Sequence, residues 1–157
     1  MKHLKSIVLL ITFALYSISF AQMSGSCSAD MENIYFGNYN PFEPVVKRAY
    51  GTLRLSCSSS SANIFFSVKV IGGNSPDPAK RYLYSPSTDS KLYYNLYYKN
   101  CVLGDGTNGT CVISGRIGKK HGMCRNSNYF IVAIIPPMQN VSAASDYQDH
   151  LTVIIEY

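Results

Sequence analysis

Beyond residue 21, no window of a dozen residues repeats apolar side chains at three- and four-residue spacing without meeting Gly or Pro. Alternation takes the place of that helical period. Residues 50–57 put Leu53, Leu55 and Cys57 on one side and Thr52, Arg54 and Ser56 on the other, the pattern of a strand with one wet face. Residues 64–71 repeat the pattern with Ile64, Phe66, Val68 and Val70 in phase, until Gly-Gly-Asn-Ser-Pro-Asp-Pro at 72–78 breaks the run. A short strand is expected over 81–84 and is closed by Ser-Pro-Ser at 85–87. Another is expected over 92–98, with Leu92, Tyr94, Leu96 and Tyr98 facing one way. The three glycines and Asn108 within 104–110 supply the left-handed positions that a tight turn needs. Residues 129–135 are apolar on both faces and end at Pro136 and Pro137. Residues 151–157 alternate again, through Leu151, Val153, Ile155 and Tyr157. Short strands separated by turn signals predict an all-β chain folded as a β-sandwich. Thirteen tyrosines and no tryptophan agree with half-buried pleated surfaces.

Residues 1–21 read differently. A basic start (Lys2, His3, Lys5), an apolar run over 7–20 and small residues at Ser19 and Ala21 form a secretory signal peptide with a cut before Gln22. Residues 22–157 are then a single exported domain, long enough to bury a core. Without Lys2 and Lys5 the formal charge falls from +5 to +3, and the basic residues are scattered, so nucleic acid is not an expected partner. All five cysteines, Cys27, Cys57, Cys101, Cys111 and Cys124, lie in the exported part, where disulfides persist; five is odd, so one thiol is left over or pairs between chains.

The two most apolar strands, 129–135 and 151–157, come last in the sequence. A terminal apolar strand without a partner leaves backbone donors and acceptors open to a strand from another chain; an internal strand covering it is the alternative.

The ordered series Ile-Tyr-Phe-Gly-Asn-Tyr at 34–39, Tyr-Gly-Thr-Leu-Arg-Leu-Ser-Cys at 50–57, Arg-Tyr-Leu-Tyr at 81–84, Leu-Tyr-Tyr-Asn-Leu-Tyr at 92–97, Gly-Asp-Gly at 104–106, Ile-Ile-Pro at 134–136 and Asp-Tyr-Gln-Asp at 146–149 resembles the spore coat protein U domain, shared with subunits of archaic chaperone/usher pili. The resemblance implies an immunoglobulin-like, pilin-type sandwich lacking its last strand. A periplasmic chaperone lends that strand first, and an N-terminal extension of a neighbouring subunit later replaces it. The groove that receives it is expected to be lined by Phe130, Val132, Ile134, Leu151, Val153 and Ile155, with the Tyr157 carboxylate held in the chaperone's basic cleft.

The family's first cysteine pair corresponds to Cys27 and Cys57, and Cys57 is in phase with Leu53 and Leu55, pointing inward. For the rest, Cys101 with Cys111 across the glycine-rich turn leaves Cys124 free, and Cys101 with Cys124 is the alternative. A start at Gln22 leaves five short, mostly polar residues before Cys27, too few to donate a strand, which places such a subunit at the tip or end of a fibre. A cut after Ala14 leaves residues 15–21, in which Tyr16, Ile18 and Phe20 alternate as a donor strand would. Chaperone, outer-membrane usher and neighbouring subunits are the expected partners, and the route runs through the periplasm to the cell surface. A protective coat protein and a self-contained secreted binding domain are the other readings.

No enzyme, metal or cofactor is expected. His121 and Cys124 lack zinc-site spacing. Asp146, Asp149 and His150 read as loop residues that cap backbone N–H groups ahead of the last strand, and Asp105 lacks the further carboxylates of a calcium loop.

Overall fold

A computed structural model describes residues 25–59, 63–117 and 125–157. The expected signal peptide, both of its cut sites and Cys124 lie outside the described residues. The described residues form ten strands: β1 Gly25–Met31, β2 Lys47–Ser59, β3 Ile64–Gly72, β4 Tyr82–Ser85, β5 Ser90–Tyr93, β6 Asn95–Tyr98, β7 Cys101–Val102, β8 Ile113–Ile117, β9 Arg125–Ile135 and β10 Leu151–Glu156. Among the described residues there is no helix, and the fold is all-β.

The strands form a five-stranded sheet ordered β1-β2-β9-β6-β7, a three-stranded sheet ordered β10-β3-β8 and a small β4-β5 hairpin. The two larger sheets close on one core. Leu53 and Leu55 of β2 with Ile131, Ala133 and Ile135 of β9 meet Val68 and Val70 of β3 and Ile113 of β8, all essentially sealed from water. The long β2–β9 ladder, from Lys47 opposite Ile135 to Cys57 opposite Arg125, sets the phase of β9: Ala49 faces Ala133, Gly51 faces Ile131 and Leu53 faces Tyr129, all inward. Alternation thus delivers one apolar row per strand to the interior.

Three local results differ from the sequence expectation. The single strand expected over 92–98 is split, because β5 pairs with β4 while β6 pairs with β9. Tyr94 is the joint, with its N–H donating to the Arg81 carbonyl at 3.1 Å, and the alternation continues through it, Leu92, Tyr94 and Leu96 all being buried. Arg81 precedes β4 rather than starting it, and its side chain is fully buried. Strand β8 gave no apolar alternation to read. Its Gly115 lies against the Phe66 ring, where a Cβ would meet Cζ at 2.8 Å, so the position is small in order to make room for an aromatic. The turn expected over 104–110 is present, with Gly106, Asn108 and Gly109 all at positive φ.

Candidate functional site

Two of the edge strands adjoin each other. Among the described residues β1 is hydrogen-bonded to β2 alone and β10 to β3 alone, and they are the adjoining edges of the two sheets. On β10, Val153 stands opposite Val70 and Ile155 opposite Val68, so both share the inward phase of β3. Yet Val68 and Val70 are sealed, whereas Leu151, Val153 and Ile155 are only half-buried, as are Cys27, Ala29 and Met31 across the gap. These six side chains point at the core from both sides of a slot that no strand fills among the described residues.

At one end the slot deepens into a cavity of about 320 Å³. Ala29 and Met31 wall it on one side and Leu151 and Val153 on the other; Leu83, Tyr94, Leu96 and Ala133 lie beneath. The chain leaving β1 closes this end. Ile34 packs over Gly51, where a Cβ would collide with its Cδ1 at 2.9 Å. Phe36 meets Tyr94 edge-to-face, with centroids 5.7 Å apart, and the Tyr39 hydroxyl donates to the Pro136 carbonyl and accepts from Gln139 N–H. The result is a trough between two strand edges, with an apolar inward row but with Asp30, Glu32, Asn33 and Asp149 also in its lining, stopped at one end by aromatic rings. Cα atoms of the two edges come within 8 Å of each other along part of their length, so an extended chain that hydrogen-bonds on both flanks and inserts alternate side chains would part them to about 9.5 Å, twice the inter-strand spacing.

Of the six residues expected to line a groove, the structure brings Leu151 and Val153 to the cavity and sets Ile155 in the same inward row. Phe130, Val132 and Ile134 are a correction. β9 is not an edge but a central strand between β2 and β6, and these three occupy its outer face, Phe130 being 76% exposed and Val132 opposite Tyr50 and Tyr97. The inward row is Tyr129, Ile131, Ala133 and Ile135, of which Ala133 reaches the cavity. A run apolar on both faces carries no phase of its own. Tyr157 follows β10 and is exposed.

Sequence reading missed β1's Ala29 and Met31 and the closing residues Ile34 and Phe36. The alternation of Cys27, Ala29 and Met31 with Ser26, Ser28 and Asp30 was the available signal.

The Cys27 and Cys57 sulfurs are 2.02 Å apart, at directly opposed positions of the β1–β2 ladder. Cys101 and Cys111 also face each other, with sulfurs 2.50 Å apart.

Asp146 and Asp149 do not form an acid/base pair. Asp146 accepts bonds from the Ser85 hydroxyl and from Ser87 N–H and Oγ, the last two at 3.0 Å. The Ser85 bond foremost holds its carboxyl below the usual range. Gln148 exchanges backbone bonds with Tyr84, while Asp149 accepts Asn74 N–H and the Tyr94 hydroxyl, each at 2.7 Å. His150 is exposed, and no group of three metal-ligating side chains occurs among the described residues.

Arg81 spans the neighbouring core. Its guanidinium donates to the carbonyls of Pro78 and Leu103 at 2.8 Å and of Val70 at 2.7 Å, and to the Asn95 amide oxygen. Burial lowers its pKa, and the carbonyl cage lets the cation stay where no carboxylate touches it.

A family model described as the Spore Coat Protein U domain matches residues 12–154. The chain belongs to that family. Among solved structures it is similar to a chain of the complex between the chaperone CsuC and the tip adhesion subunit CsuE, from the archaic chaperone-usher Csu pili of Acinetobacter baumannii. The TM-score is 0.59 at 20% identity, covering 85% of this chain and 40% of that one. This chain therefore spans less than half of that neighbour's length, and at this identity the likeness establishes the fold. No curated protein matches the chain.

Proposed function

We propose that this spore coat protein U domain is a structural subunit of a bacterial surface fibre of the chaperone/usher kind, and that the β1/β10 slot accepts a strand from another polypeptide. The observation that carries the reading is the pair of adjoining one-sided edges, β1 and β10, over a trough into which both turn apolar rows. A sandwich complete in itself buries such a row; here Leu151, Val153 and Ile155 stay half-buried. Family membership and the likeness to a chaperone–subunit complex support the same reading.

A periplasmic chaperone fills the slot during export, and a neighbouring subunit fills it in the fibre, with the usher as the assembly platform. Tyr157, exposed just beyond β10, is placed for a chaperone's basic residues to hold its carboxylate. The two disulfides form on the oxidising side of the inner membrane.

The signal cut decides whether the subunit also gives a strand. A start at Gln22 makes it an acceptor only, at the fibre's tip or end. A start at Leu15 keeps Tyr16, Ile18 and Phe20, a segment that the family match takes in. Intact mass of the exported protein separates the two.

The strand-accepting reading is tested by export into the periplasm with and without a co-expressed periplasmic chaperone of the chaperone/usher kind. The expected result is soluble protein only when the chaperone is present, recovered as a one-to-one complex. A cooperatively folded monomer obtained alone refutes it.

A further inference from the structure

A strand held by ladder bonds on one flank frays or slides unless its ends are fixed. β10 enters the three-stranded sheet from residues 146–149, and this short segment is tied to three parts of the fold. Gln148 exchanges backbone bonds with Tyr84 of β4, and its carbonyl also accepts the Asn74 side-chain amide at 2.7 Å. Asp149 then uses both carboxylate oxygens. Oδ1 takes the Asn74 N–H from the turn after β3, and Oδ2 takes the hydroxyl of Tyr94, the residue beneath the slot that joins the β4-β5 hairpin to the five-stranded sheet. The carboxylate fits because Gly73 has no Cβ; one built there overlaps it. Burial first, and the bond to Asp149 second, push the Tyr94 hydroxyl's pKa upward, so it remains a donor at any physiological pH. With both oxygens engaged, Asp149 has no lone acid or base role to play.

We infer that Asp149 is a positioning residue for strand acceptance: through Tyr94 and Asn74 it anchors the start of β10, so that this edge keeps its register and its inward row while an incoming chain parts it from β1. One wall of the slot is then ordered before its occupant arrives, and capture does not have to bear the cost of ordering it. The inference rests on the strand-accepting reading of the slot.

The test compares the full exported chain with Asp149→Asn and Tyr94→Phe; the latter keeps the ring that meets Phe36 and removes only the hydroxyl. All forms are purified as the chaperone complex, and two readouts are taken: amide hydrogen exchange by strand, and capture, by displacement of the chaperone, of a dye-labelled synthetic peptide with the sequence of residues 15–21. Each variant is expected to speed exchange in β10 about ten-fold, the scale of one net hydrogen bond to a charged acceptor, with β2 and β9 unchanged. Peptide capture weakens by about the same factor, and the double variant adds nothing further because one bond is lost in all three. Where Asp149→Asn lowers the yield of folded protein, Tyr94→Phe carries the comparison. Uniformly faster exchange in all strands overturns the positioning role, since a general structural tie behaves that way. Normal capture by both variants overturns it too while leaving strand acceptance standing. If the unmutated protein captures no peptide, the positioning role is overturned, whereas strand acceptance itself is refuted by a cooperatively folded monomer obtained without a chaperone.

Discussion

Removing the Cys27–Cys57 crosslink is expected to cost this domain a large part of its stability, and most of it at one wall of the slot. The two residues are 30 positions apart in sequence and directly opposed in the β1–β2 ladder. By the chain-entropy relation, closing a loop of that length removes about 12 cal/mol/K from the unfolded chain, or ~3.6 kcal/mol at 25 °C. Cys57 is 2% exposed, so replacing both residues with Ala also empties buried space, adding roughly 1 kcal/mol. A total near 4–5 kcal/mol compares with whole-domain stabilities of about 5–15 kcal/mol, and at roughly 2–4 °C per kcal/mol it lowers the melting temperature by about 10–15 °C. The same relation gives about 2.7 kcal/mol for Cys101 and Cys111, which are 10 positions apart. The assay is urea unfolding of the peptide-filled protein and of Cys27→Ala/Cys57→Ala, followed by circular dichroism. The loss should concentrate on β1, whose ladder has only β2 beside it, and strand capture should weaken with it. A loss under about 1 kcal/mol, with the bridge confirmed in the parent protein by mass, refutes the reasoning.

Three further outcomes follow from the geometry. Ile131→Ala should cost about 3–4 kcal/mol in the same urea assay and Phe130→Ala under about 0.5, because only the first side chain is sealed in the core; the reverse order would show that β9 sits in the other phase. Asp77, Asp105 and Asp146 are each held below their ordinary pKa of 3.8, chiefly by hydrogen bonds from Ala79 N–H, the Thr107 hydroxyl and the Ser85 hydroxyl. Their contribution is therefore complete above pH 3.8 and is lost as pH falls through the lower folded values. The melting temperature should hold from pH 7 to about 5 and drop below about 4, and Asp146→Asn should make that acid limb shallower. Alkylation of the unfolded, unreduced exported chain should label Cys124 alone, and label on Cys111 would show the other pairing. In the folded, reduced protein, burial foremost pushes the Cys111 thiol up to about 11, so it should react slowly at pH 7.

The period of two was legible wherever one face of a strand meets water. β2 and β3 show the burial their alternation predicts, because a wrong phase there would bury Arg54 or Lys69. That constraint vanishes in β9, whose central place gives both faces apolar residues; Phe130, Val132 and Ile134 can be assigned to the outside only through the ladder to β2. The break at Tyr94 was hidden for a related reason. Local pattern fixes which side of a strand is buried, not which neighbour it pairs with, and here the same inward row continues across two sheets. The resemblance supplied the open slot in kind, while its location between β1 and β10 depends on long-range pairing. Asp146 and Asp149 accept backbone N–H bonds as expected of them, but the partners of residues 146–149 at Ser85, Tyr84, Asn74 and Tyr94 are too distant in sequence for spacing to indicate.

The treatment of the sheet edges separates a designed opening from an accident. The five-stranded sheet ends at β7 with two residues, too short to template a strand, and the chain beyond is bridged back through Leu103 to Cys111. The three-stranded sheet ends at β8, five residues interrupted by Gly115 and carrying Arg116 outward. Short length, glycine and charge are the devices by which proteins discourage edge pairing. β1 and β10, with seven and six residues, are the longer edges, and each adds only one outward carboxylate, Asp30 and Glu156, the latter already paired with Lys69. Both long edges border the same trough and both turn apolar rows into it. If the slot were only a packing fault, nothing would require the blunted edges to lie on the far sides of the two sheets and the bare ones to face each other. A Pro at position 153, which removes one ladder donor and stiffens the inward row, should therefore abolish strand capture, while a Pro at position 114 in β8 should leave capture intact so long as the domain folds.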